Sequence, residues 1–361
     1  PKEGLSPKGK RSDDQDRWRR PCGRLRTRWT RARLEDEDLN TCCAPEPQAP
    51  PADAGGKAAV VLITDRNYFL PTLSAALSAD AHVSCPAVPI CLFVVGADDA
   101  WVRQFEDAIT GTKIRILAAN LPELPELSRF HRDRYLPPIA LARFWISSLL
   151  DPDIDRMLYI DGDVMVDDEL DSLLNTPAPT EGLAAAQDFA WIFHDELGLS
   201  KYRDLRNIRD IGCQPEFYFN SGVMYCSIRA WDRIVPVATR FMREHPDLCV
   251  ASDQTALNHA ARNTLTLLPP RYNYLTDYMM VVDPRTLGLR TAIWHFNGAP
   301  KPWNSAVWPW DEYFNRFYRM AEARLGGCDV ETPVPPRRQI EAGLAHRARA
   351  RLRLNWVYPW R

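Results

Sequence analysis

Short apolar runs alternate with stretches of helical periodicity along the chain, and this alternation restricts the fold more than any other feature. The first run, Ala58–Thr64 (AAVVLIT), is short and β-branched, which is typical of a strand buried on both faces. Similar runs predict further strands at Ile90–Val95, Lys113–Leu117, Met157–Ile160, Ala184–Gln187, Phe217–Ser227, Leu265–Leu268 and Thr291–His295. Predicted helices are Leu73–Ser78, Trp101–Ile109, Leu141–Leu150, Arg229–Glu244, Asp253–Ala261 and Asp311–Leu325. This order predicts an α/β fold with a mostly parallel central sheet.

The two ends of the chain differ from its middle. Residues 1–57 carry separate blocks of basic and acidic side chains and few apolar ones, which predicts a disordered, charged tail. An arm that binds nucleic acid or anionic lipid is the alternative. Residues 328–361 combine arginines with leucines and aromatic rings, which predicts a basic amphipathic tail that attaches to an anionic membrane surface. A solvated helix packed on its own domain is the alternative there, and residues 58–327 then form one continuous domain.

Composition narrows the functional classes. The 45 basic and 47 acidic side chains nearly balance, which excludes a uniformly basic nucleic-acid coat, so we expect no nucleic-acid partner. We find no apolar run of about 18 residues and no secretory leader, so a membrane-spanning helix is not expected. The nine cysteines include no Cys-x-x-Cys pair, which favours a reducing compartment over a disulfide framework. We therefore expect a cytoplasmic protein.

Two carboxylates stand where a predicted strand ends, in the stretch Tyr159-Ile160-Asp161-Gly162-Asp163-Val164-Met165-Val166. Ligands of α/β sheets bind at the carboxyl ends of the strands. Asp161 and Asp163 can offer oxygens there to a divalent cation, which in turn binds diphosphate oxygens. Without a cation, two acids so close together repel each other. A turn that binds no metal is the alternative interpretation.

The loop Trp294-His295-Phe296-Asn297-Gly298-Ala299-Pro300-Lys301-Pro302-Trp303 holds a second group of polar residues. His295 can supply a nitrogen ligand, and a mixed oxygen and nitrogen donor set favours Mn²⁺ over Mg²⁺. Gly298 allows the backbone to approach a phosphate closely, and Lys301 can place a positive charge on that phosphate. For each residue alone, a capping histidine or a solvated lysine is the alternative.

The first strand ends in Thr64-Asp65-Arg66-Asn67-Tyr68. Asp65 and Asn67 are common turn formers, and a turn alone explains them. They also offer the acceptor and the donor that a uracil ring requires, and Tyr68 can stack on the base. This stretch has no Gly-x-Gly-x-x-Gly, so a dinucleotide site is not predicted.

Four stretches, taken in order, resemble glycosyltransferase family 8, the retaining GT-A enzymes that include bacterial lipopolysaccharide galactosyl- and glucosyltransferases and glycogenin. Tyr159–Val166 looks like the Asp-x-Asp core of the family, and Phe219-Asn220-Ser221-Gly222-Val223 looks like its Phe-Asn-Ser/Ala-Gly-Val motif. Asp253-Gln254-x-x-Leu257-Asn258 is similar to its helix start, and His295-x-x-Gly298-x-x-Lys301-Pro302-Trp303 is similar to its C-terminal signature. The resemblance spans about residues 58–310 and implies a Rossmann-like GT-A fold with a catalytic domain at 58–327.

The resemblance also implies a UDP-sugar donor, UDP-glucose or UDP-galactose, bound with Mn²⁺ or Mg²⁺. The implied metal ligands are Asp161, Asp163 and His295. Other donor contacts would come from Thr64, Asp65, Asn67, Tyr68, Arg143, Gly162, Gly298 and Lys301. Side chains at the sugar and its reacting face would be Asp188, Asn220, Asp253 and Gln254.

The resemblance implies a retaining hexosyltransferase whose acceptor is an oligosaccharide or a lipid-linked glycan of the lipopolysaccharide type. Such an acceptor fits a location at the inner face of the plasma membrane. One position departs from the pattern, because Thr255 stands where many members have a second Asp, which disfavours double displacement through that carboxylate. Two alternatives stay open: a GT-A-like sugar nucleotidyltransferase and a catalytically silent protein that binds sugar nucleotides.

Overall fold

A computed structural model describes residues 56–131, 137–189, 207–279, 283–298, 301–303, 309–326, 337–338, 341 and 345. Nearly all of the two predicted tails, 1–57 and 328–361, lies outside these ranges, so both stay predictions. None of the described helices has the length and apolar composition needed to cross a bilayer. The described cysteines are free thiols: Cys85, Cys91, Cys213, Cys226 and Cys249.

Ten strands and nine α-helices are formed by the described residues. The strands are β1 Lys57–Asp65, β2 Ile90–Val95, β3 Ile114–Ala119, β4 Ile154–Ile160, β5 Val164–Val166, β6 Ala184–Gln187, β7 Phe219–Ser227, β8 Thr266–Leu267, β9 Tyr274–Leu275 and β10 Ile293–His295. The α-helices are α1 Phe69–His82, α2 Asp99–Arg103, α3 Leu124–Ser128, α4 Ile146–Leu149, α5 Asp171–Leu174, α6 Ile228–Glu244, α7 Ser252–Ala261, α8 Thr276–Met279 and α9 Glu312–Arg324. Short 3₁₀ turns connect them, among them Arg66–Tyr68, Pro138–Trp145 and Pro270–Tyr272.

The larger sheet has seven strands in the order β3-β2-β1-β4-β7-β6-β8. Strands β3, β2, β1 and β4 pair in parallel, as do β6 and β8, whereas β7 runs antiparallel to both β4 and β6. The predicted α/β fold with a mostly parallel central sheet is confirmed. Chain order reverses at β1, which lies between β2 and β4, and such a switch point is where α/β sheets bind ligands.

Strand β1 shows why its sequence has no polar face. Alternate residues belong to two hydrophobic clusters, one containing Ala59, Val61 and Ile63 and the other containing Val60 and Leu62. Helices on both sides of the sheet cover these clusters, so every central side chain of the strand is removed from water. Burial on both faces produces the continuous apolar run that the sequence displays.

A small second sheet, β5-β10-β9, extends from the end of β4 and was not predicted. Strand β10 pairs antiparallel with β5 and parallel with β9. Two or three residues per strand give no periodicity that a sequence pattern could reveal. The sheet matters for function because it brings the end of β10 beside the turn that follows β4.

Two predicted helices differ from the structure. The stretch Trp101–Ile109 contains only the end of α2 and a separate 3₁₀ turn, Asp107–Ile109. The stretch Leu141–Leu150 begins within the 3₁₀ helix Pro138–Trp145 and becomes α-helical only in α4. There, the guanidinium of Arg143 donates to the Ala140 carbonyl at 2.9 Å, which occupies an acceptor that an α-helical turn would use.

Candidate active site

The predicted site residues gather at the carboxyl ends of β1 and β4, on the two sides of the switch point. Thr64 and Asp65 end β1, and Asp161–Asp163 is the turn between β4 and β5. The backbone N–H of Asp161 donates to the Gly222 carbonyl at 2.8 Å, which fixes the turn against β7. Strand pairing therefore determines where the two carboxylates lie.

His295 completes a group of three potential metal ligands. The β5–β10 register pairs it with Val164, and the N–H of Phe296 donates to the Asp163 carbonyl at 2.8 Å. Its Nε2 lies 3.4 Å from Oδ1 of Asp163 and 3.9 Å from Oδ2 of Asp161. One ligand atom from each residue lies within 4.8 Å of the others. The structure thus brings together all three residues that the sequence analysis expected to hold a metal.

The donor set fits a divalent cation of the Mn²⁺ type. Nδ1 of His295 is 2.9 Å from the Oδ1 of Asn273, an acceptor, so the ring donates on that side and Nε2 is left to accept. Two carboxylates and one imidazole nitrogen then converge without a proton between them, and a cation compensates that arrangement. We find this fit in the chemistry of the side chains themselves.

Gly222 makes room for the imidazole. A Cβ atom at this position would lie 2.2 Å from Cε1 of His295 and 2.9 Å from Oδ2 of Asp161. Real Cβ atoms do not approach that closely, so a side chain here would displace either ligand. The sequence analysis quoted Gly222 as part of a motif and gave it no role, because a close approach between distant segments leaves no local signal.

Lys301 lies beside the same carboxylate. Its ammonium donates to Oδ2 of Asp163 at 2.5 Å and to the Phe296 carbonyl at 2.6 Å. Burial raises the pKa of Asp163, but Lys301 and His295 lower it by more, so the pKa lies well below its ordinary value. Asp163 is therefore ionised at neutral pH and able to bind a cation.

Arg143 lies behind the metal-site turn, with 5% of its surface exposed. Its guanidinium donates to Oδ1 of Asp161 at 3.0 Å and to the Ser221 carbonyl at 2.9 Å, and its Nε is 3.2 Å from Oδ2 of Asp253. The ring of Tyr159 lies against it at 4.8 Å. Arg143 thus holds Asp161 in place from the inner side.

Asp253, which we expected at the reacting face of the sugar, is only 2% exposed and pairs with Arg143. Burial raises the pKa of this carboxyl, the Arg143 guanidinium lowers it, and Asp161 raises it again, with a net rise. The position of Thr255 is fully buried as well, and its hydroxyl accepts from the Ala251 N–H at 3.0 Å. Thr255 therefore stabilises the start of α7 and does not face the cleft.

Asp188, Asn220 and Gln254 form a connected polar group on β6, β7 and α7. Oδ2 of Asp188 accepts from Nδ2 of Asn220 at 3.2 Å and from Nε2 of Gln254 at 3.1 Å. Oε1 of Gln254 accepts from the same Asn220 amide and from the Ser221 N–H, each at 3.2 Å. These three residues, expected at the sugar, are brought into mutual contact.

The end of β1 forms the turn that the sequence suggested. Oδ1 of Asp65 accepts from the Tyr68 N–H at 2.9 Å, and Asn67 is exposed. The Tyr68 ring meets Trp303 edge-on at 5.5 Å. Burial raises the pKa of Tyr68, and Asp163 raises it further, so the hydroxyl keeps its proton at neutral pH. Thr64 is buried at the strand end.

Two glycines near the carboxylates have different local reasons. A Cβ at Gly162 would lie 2.2 Å from Oγ1 of Thr72, so glycine lets the turn approach α1. Gly298 has φ of 73°, in the left-handed region that favours glycine. Gly298 and Lys301 follow β10 on the same side as His295, as expected from the sequence. Among functional residues that sequence reasoning missed, Gly222 and Asn273 contact His295 directly.

Comparisons with known proteins agree with this geometry. A family model described as Glycosyl transferase family 8 matches residues 59–306. General stress protein A of Bacillus subtilis (strain 168) is 33% identical over 198 residues, which is 50% of this chain and 65% of that protein. Lipopolysaccharide 1,2-glucosyltransferase of Escherichia coli (strain K12) is 25% identical over 185 residues, which is 48% of this chain and 51% of that protein. The chain thus spans about half to two-thirds of the length of these relatives.

The crystal structure of the galactosyltransferase LgtC with donor and acceptor sugar analogues is similar with a TM-score of 0.58 and 23% identity. The similarity covers 78% of this chain and 98% of that one. At this identity the likeness shows a shared GT-A fold. The family model covers all three potential metal ligands and more than half of the sequence, and on that ground the chain belongs to glycosyl transferase family 8.

Proposed function

We propose that this chain transfers glucose or galactose from a UDP-sugar to a glycan acceptor, in a Mn²⁺-dependent reaction that retains the anomeric configuration. The observation that supports it best is the convergence of Asp161, Asp163 and His295 within 4.8 Å at the switch point of the sheet. The matched family and the LgtC-like fold make a sugar-nucleotide donor the natural ligand of such a site. Residues 58–327 are the proposed catalytic domain.

On the donor side, Asp161, Asp163 and His295 would hold the cation, which neutralises charge on the departing nucleoside diphosphate when bound. Lys301 supplies a second positive charge, and its ammonium already lies at the edge of the site. Gly162 and Gly298 keep the adjoining backbone free of side chains. Arg143 keeps Asp161 oriented from behind, and these fixed charges stabilise the leaving group without reorganisation.

The uridine would lie at the end of β1. Thr64, Asp65 and Asn67 present polar groups there, and Tyr68 presents an aromatic ring and a protonated hydroxyl. The turn hydrogen bond of Asp65 uses one carboxylate oxygen and holds the loop in shape. A preformed loop of this kind reduces the ordering that the nucleotide must induce on binding.

The sugar would face Asp188, Asn220 and Gln254. Cleavage of the glycosidic bond develops positive charge at the anomeric carbon, which the Asp188 carboxylate and the Gln254 amide oxygen stabilise. An amide is a poor nucleophile, and Thr255 is buried, so we propose that the acceptor hydroxyl attacks from the face that the diphosphate leaves. The departing phosphate takes the hydroxyl proton. Asp253 contributes by holding Arg143.

We further propose an oligosaccharide or lipid-linked glycan acceptor at the cytoplasmic face of the plasma membrane. The matched Escherichia coli protein is named a lipopolysaccharide 1,2-glucosyltransferase, which supports an acceptor of this class. The basic and aromatic sequence of residues 337–361 supports attachment to anionic lipid.

The deciding experiment measures UDP release from a panel of UDP-sugars, with Mn²⁺ and with a chelator. We expect slow hydrolysis of UDP-glucose or UDP-galactose that the chelator abolishes. Asp163→Asn should lose this activity, whereas Asp232→Asn, which removes an exposed carboxylate on α6, should keep it. Equal release with and without metal would contradict the metal role. Binding of UDP without any turnover on glycan acceptors would favour the catalytically silent alternative.

A further inference from the structure

A fully buried asparagine joins the metal-site histidine to the polar group on the sugar side of the cleft. Asn273 is 0% exposed and stands between the 3₁₀ turn Pro270–Tyr272 and β9. Its Oδ1 lies 2.9 Å from Nδ1 of His295, and its Nδ2 donates to Oδ1 of Asn220 at 3.0 Å. Parallel pairing of β9 with β10 fixes the backbone on both sides of the first contact.

Two groups that cannot exchange roles determine the orientation of the Asn220 amide. The backbone N–H of Gly222 donates to Oδ1 of Asn220 at 3.0 Å. The Asp188 carboxylate accepts from Nδ2 of Asn220 at 3.2 Å. A backbone N–H only donates and an ionised carboxylate only accepts, so exchanging the oxygen and nitrogen of this amide would break both bonds. Oδ1 of Asn220 therefore faces Asn273 and requires a donor from it.

The same constraint passes through Asn273 to the imidazole. Because Nδ2 of Asn273 donates to Asn220, its Oδ1 is the atom that faces His295, and it only accepts. Nδ1 of His295 must then carry a proton. In the neutral ring, Nε2 is left with its lone pair, directed at the space beside Asp161 and Asp163.

We propose that Asn273 is a positioning residue of the metal centre, which holds His295 as the Nδ1–H tautomer so that Nε2 is free to bind a cation. The constraint originates at Asp188 and Gly222 and reaches the histidine through two amides. The opposite tautomer would direct an N–H at the two carboxylates and block the nitrogen. This inference rests on the proposed function, because it assumes a cation at this site. Hydrogen-bond partners of metal-binding histidines typically account for about 10- to 100-fold in metal affinity.

The test begins with the metal-free wild-type chain labelled with ¹⁵N-histidine. Long-range ¹H–¹⁵N NMR spectra, assigned with His295→Gln, report which ring nitrogen carries the proton, and we expect Nδ1. In Asn273→Leu the proton should move to Nε2, where it donates to Asp163. The Mn²⁺ dissociation constant, measured by electron paramagnetic resonance, should rise roughly 10- to 100-fold. Asn273→Asp keeps an acceptor for Nδ1, so it should retain the wild-type tautomer.

Asn258 offers a matched control. It is also buried, and its side chain both accepts from the Phe219 N–H and donates to the Phe219 carbonyl, without contacting His295. Asn258→Leu should leave the tautomer and the Mn²⁺ affinity unchanged. Equal losses in Asn258→Leu and Asn273→Leu would overturn the proposal, as would wild-type affinity in Asn273→Leu. Where Asn273→Leu does not fold, the wild-type spectrum and Asn273→Asp decide. Absence of Mn²⁺ binding by the wild type would contradict the proposed function, whereas Mn²⁺ binding with the proton on Nε2 would contradict this inference alone.

Discussion

At the scale of single residues, the site depends on positions that carry no functional group at all. Asp161 and His295 come from segments far apart in sequence, and they meet across Gly222, which lies within β7. Asp-x-Asp and the histidine of the C-terminal loop were predictable because their chemistry is visible in the side chains. Gly222 and Asn273 were not assigned roles, because their importance arises from contacts that only the folded chain creates.

Gly222→Ala tests this dependence directly. The added methyl would overlap Cε1 of His295, so the imidazole must move away from the two carboxylates. We expect a Mn²⁺ dissociation constant at least about tenfold higher, as for other changes that disturb the support of a metal ligand, with the fold retained. Titration by electron paramagnetic resonance measures the affinity, and circular dichroism checks the fold.

The matched control for this variant is Gly111→Ala. Gly111 has no heavy atom within 4 Å of an added Cβ, although its φ of 78° makes alanine strained. It precedes β3, at the end of the sheet away from the metal site. We expect Gly111→Ala to lower the free energy of unfolding and leave Mn²⁺ affinity unchanged. Wild-type affinity in Gly222→Ala would show that His295 does not bind the metal from its present position.

At the scale of elements, strands were predicted well where both faces are buried. Strands β2 and β6 have the predicted bounds, because continuous apolar runs mark them on both sides. Strands β5 and β9 were missed, since three and two residues are too few to show a period. The consequence is specific: the sequence predicted which residues form the site, but not the small sheet that brings His295 to the carboxylates.

Helix α9 is fastened to the small sheet by an arginine that the sequence analysis did not discuss. Arg285 donates to Asp283 at 2.7 Å and to Asp311 at 2.9 Å, and Asp311 also accepts from the N–H of Tyr313 as the N-cap of α9. Its guanidinium lies 5.0 Å from the Phe314 ring. Hydrogen bonds from Arg285 lower the pKa of Asp283. The arginine therefore joins the cap, the ring and a carboxylate.

We expect Arg285→Met to lower the free energy of unfolding by about 1 kcal/mol at neutral pH, since the group is partly exposed. Asp283 has its pKa lowered in the folded state, so the stability it contributes is present above the ordinary carboxyl pKa of about 4 and is lost as pH falls. The difference between wild type and variant should thus shrink below about pH 4. Urea unfolding at several pH values measures it.

Arg319→Met is the control on the same helix. Arg319 pairs with Glu312 at the surface, and both side chains are more than half exposed. Such pairs contribute about 0 to 1 kcal/mol, so the effect on unfolding should be small. A cost of Arg285→Met that stays constant from neutral to acidic pH would show that packing against Phe314, and not the carboxylates, carries the contribution.

At the scale of the whole molecule, the site joins two sheets and their connecting loops into one charge-balanced centre. Four acidic side chains, Asp161, Asp163, Asp188 and Asp253, lie near three groups that compensate them, Arg143, Lys301 and His295. A divalent cation adds the remaining charge. Every one of these residues lies between β4 and residue 303, so neither charged end of the chain is needed to build the centre.

The C-terminal segment therefore offers a prediction that separates attachment from catalysis. Deleting residues 337–361 removes six arginines and the aromatic residues that follow them, while all of the site residues remain. Each arginine near an anionic surface contributes about 1 kcal/mol of attraction. We expect the full chain to cosediment with vesicles that contain anionic lipid, and the deletion variant to stay in the supernatant with unchanged UDP-sugar hydrolysis.

Replacing the six arginines of this segment with glutamine separates charge from the aromatic contribution. If electrostatic attraction dominates, this variant should behave as the deletion does, and binding by the wild type should weaken as salt rises, because salt screens exposed charges. Vesicles of neutral lipid alone serve as the control surface. Undiminished cosedimentation of the deletion variant would place the membrane-binding surface elsewhere. Loss of hydrolysis on deletion would show that the segment supports the catalytic domain, which an unfolding measurement on both chains would then reveal as a lower free energy of unfolding.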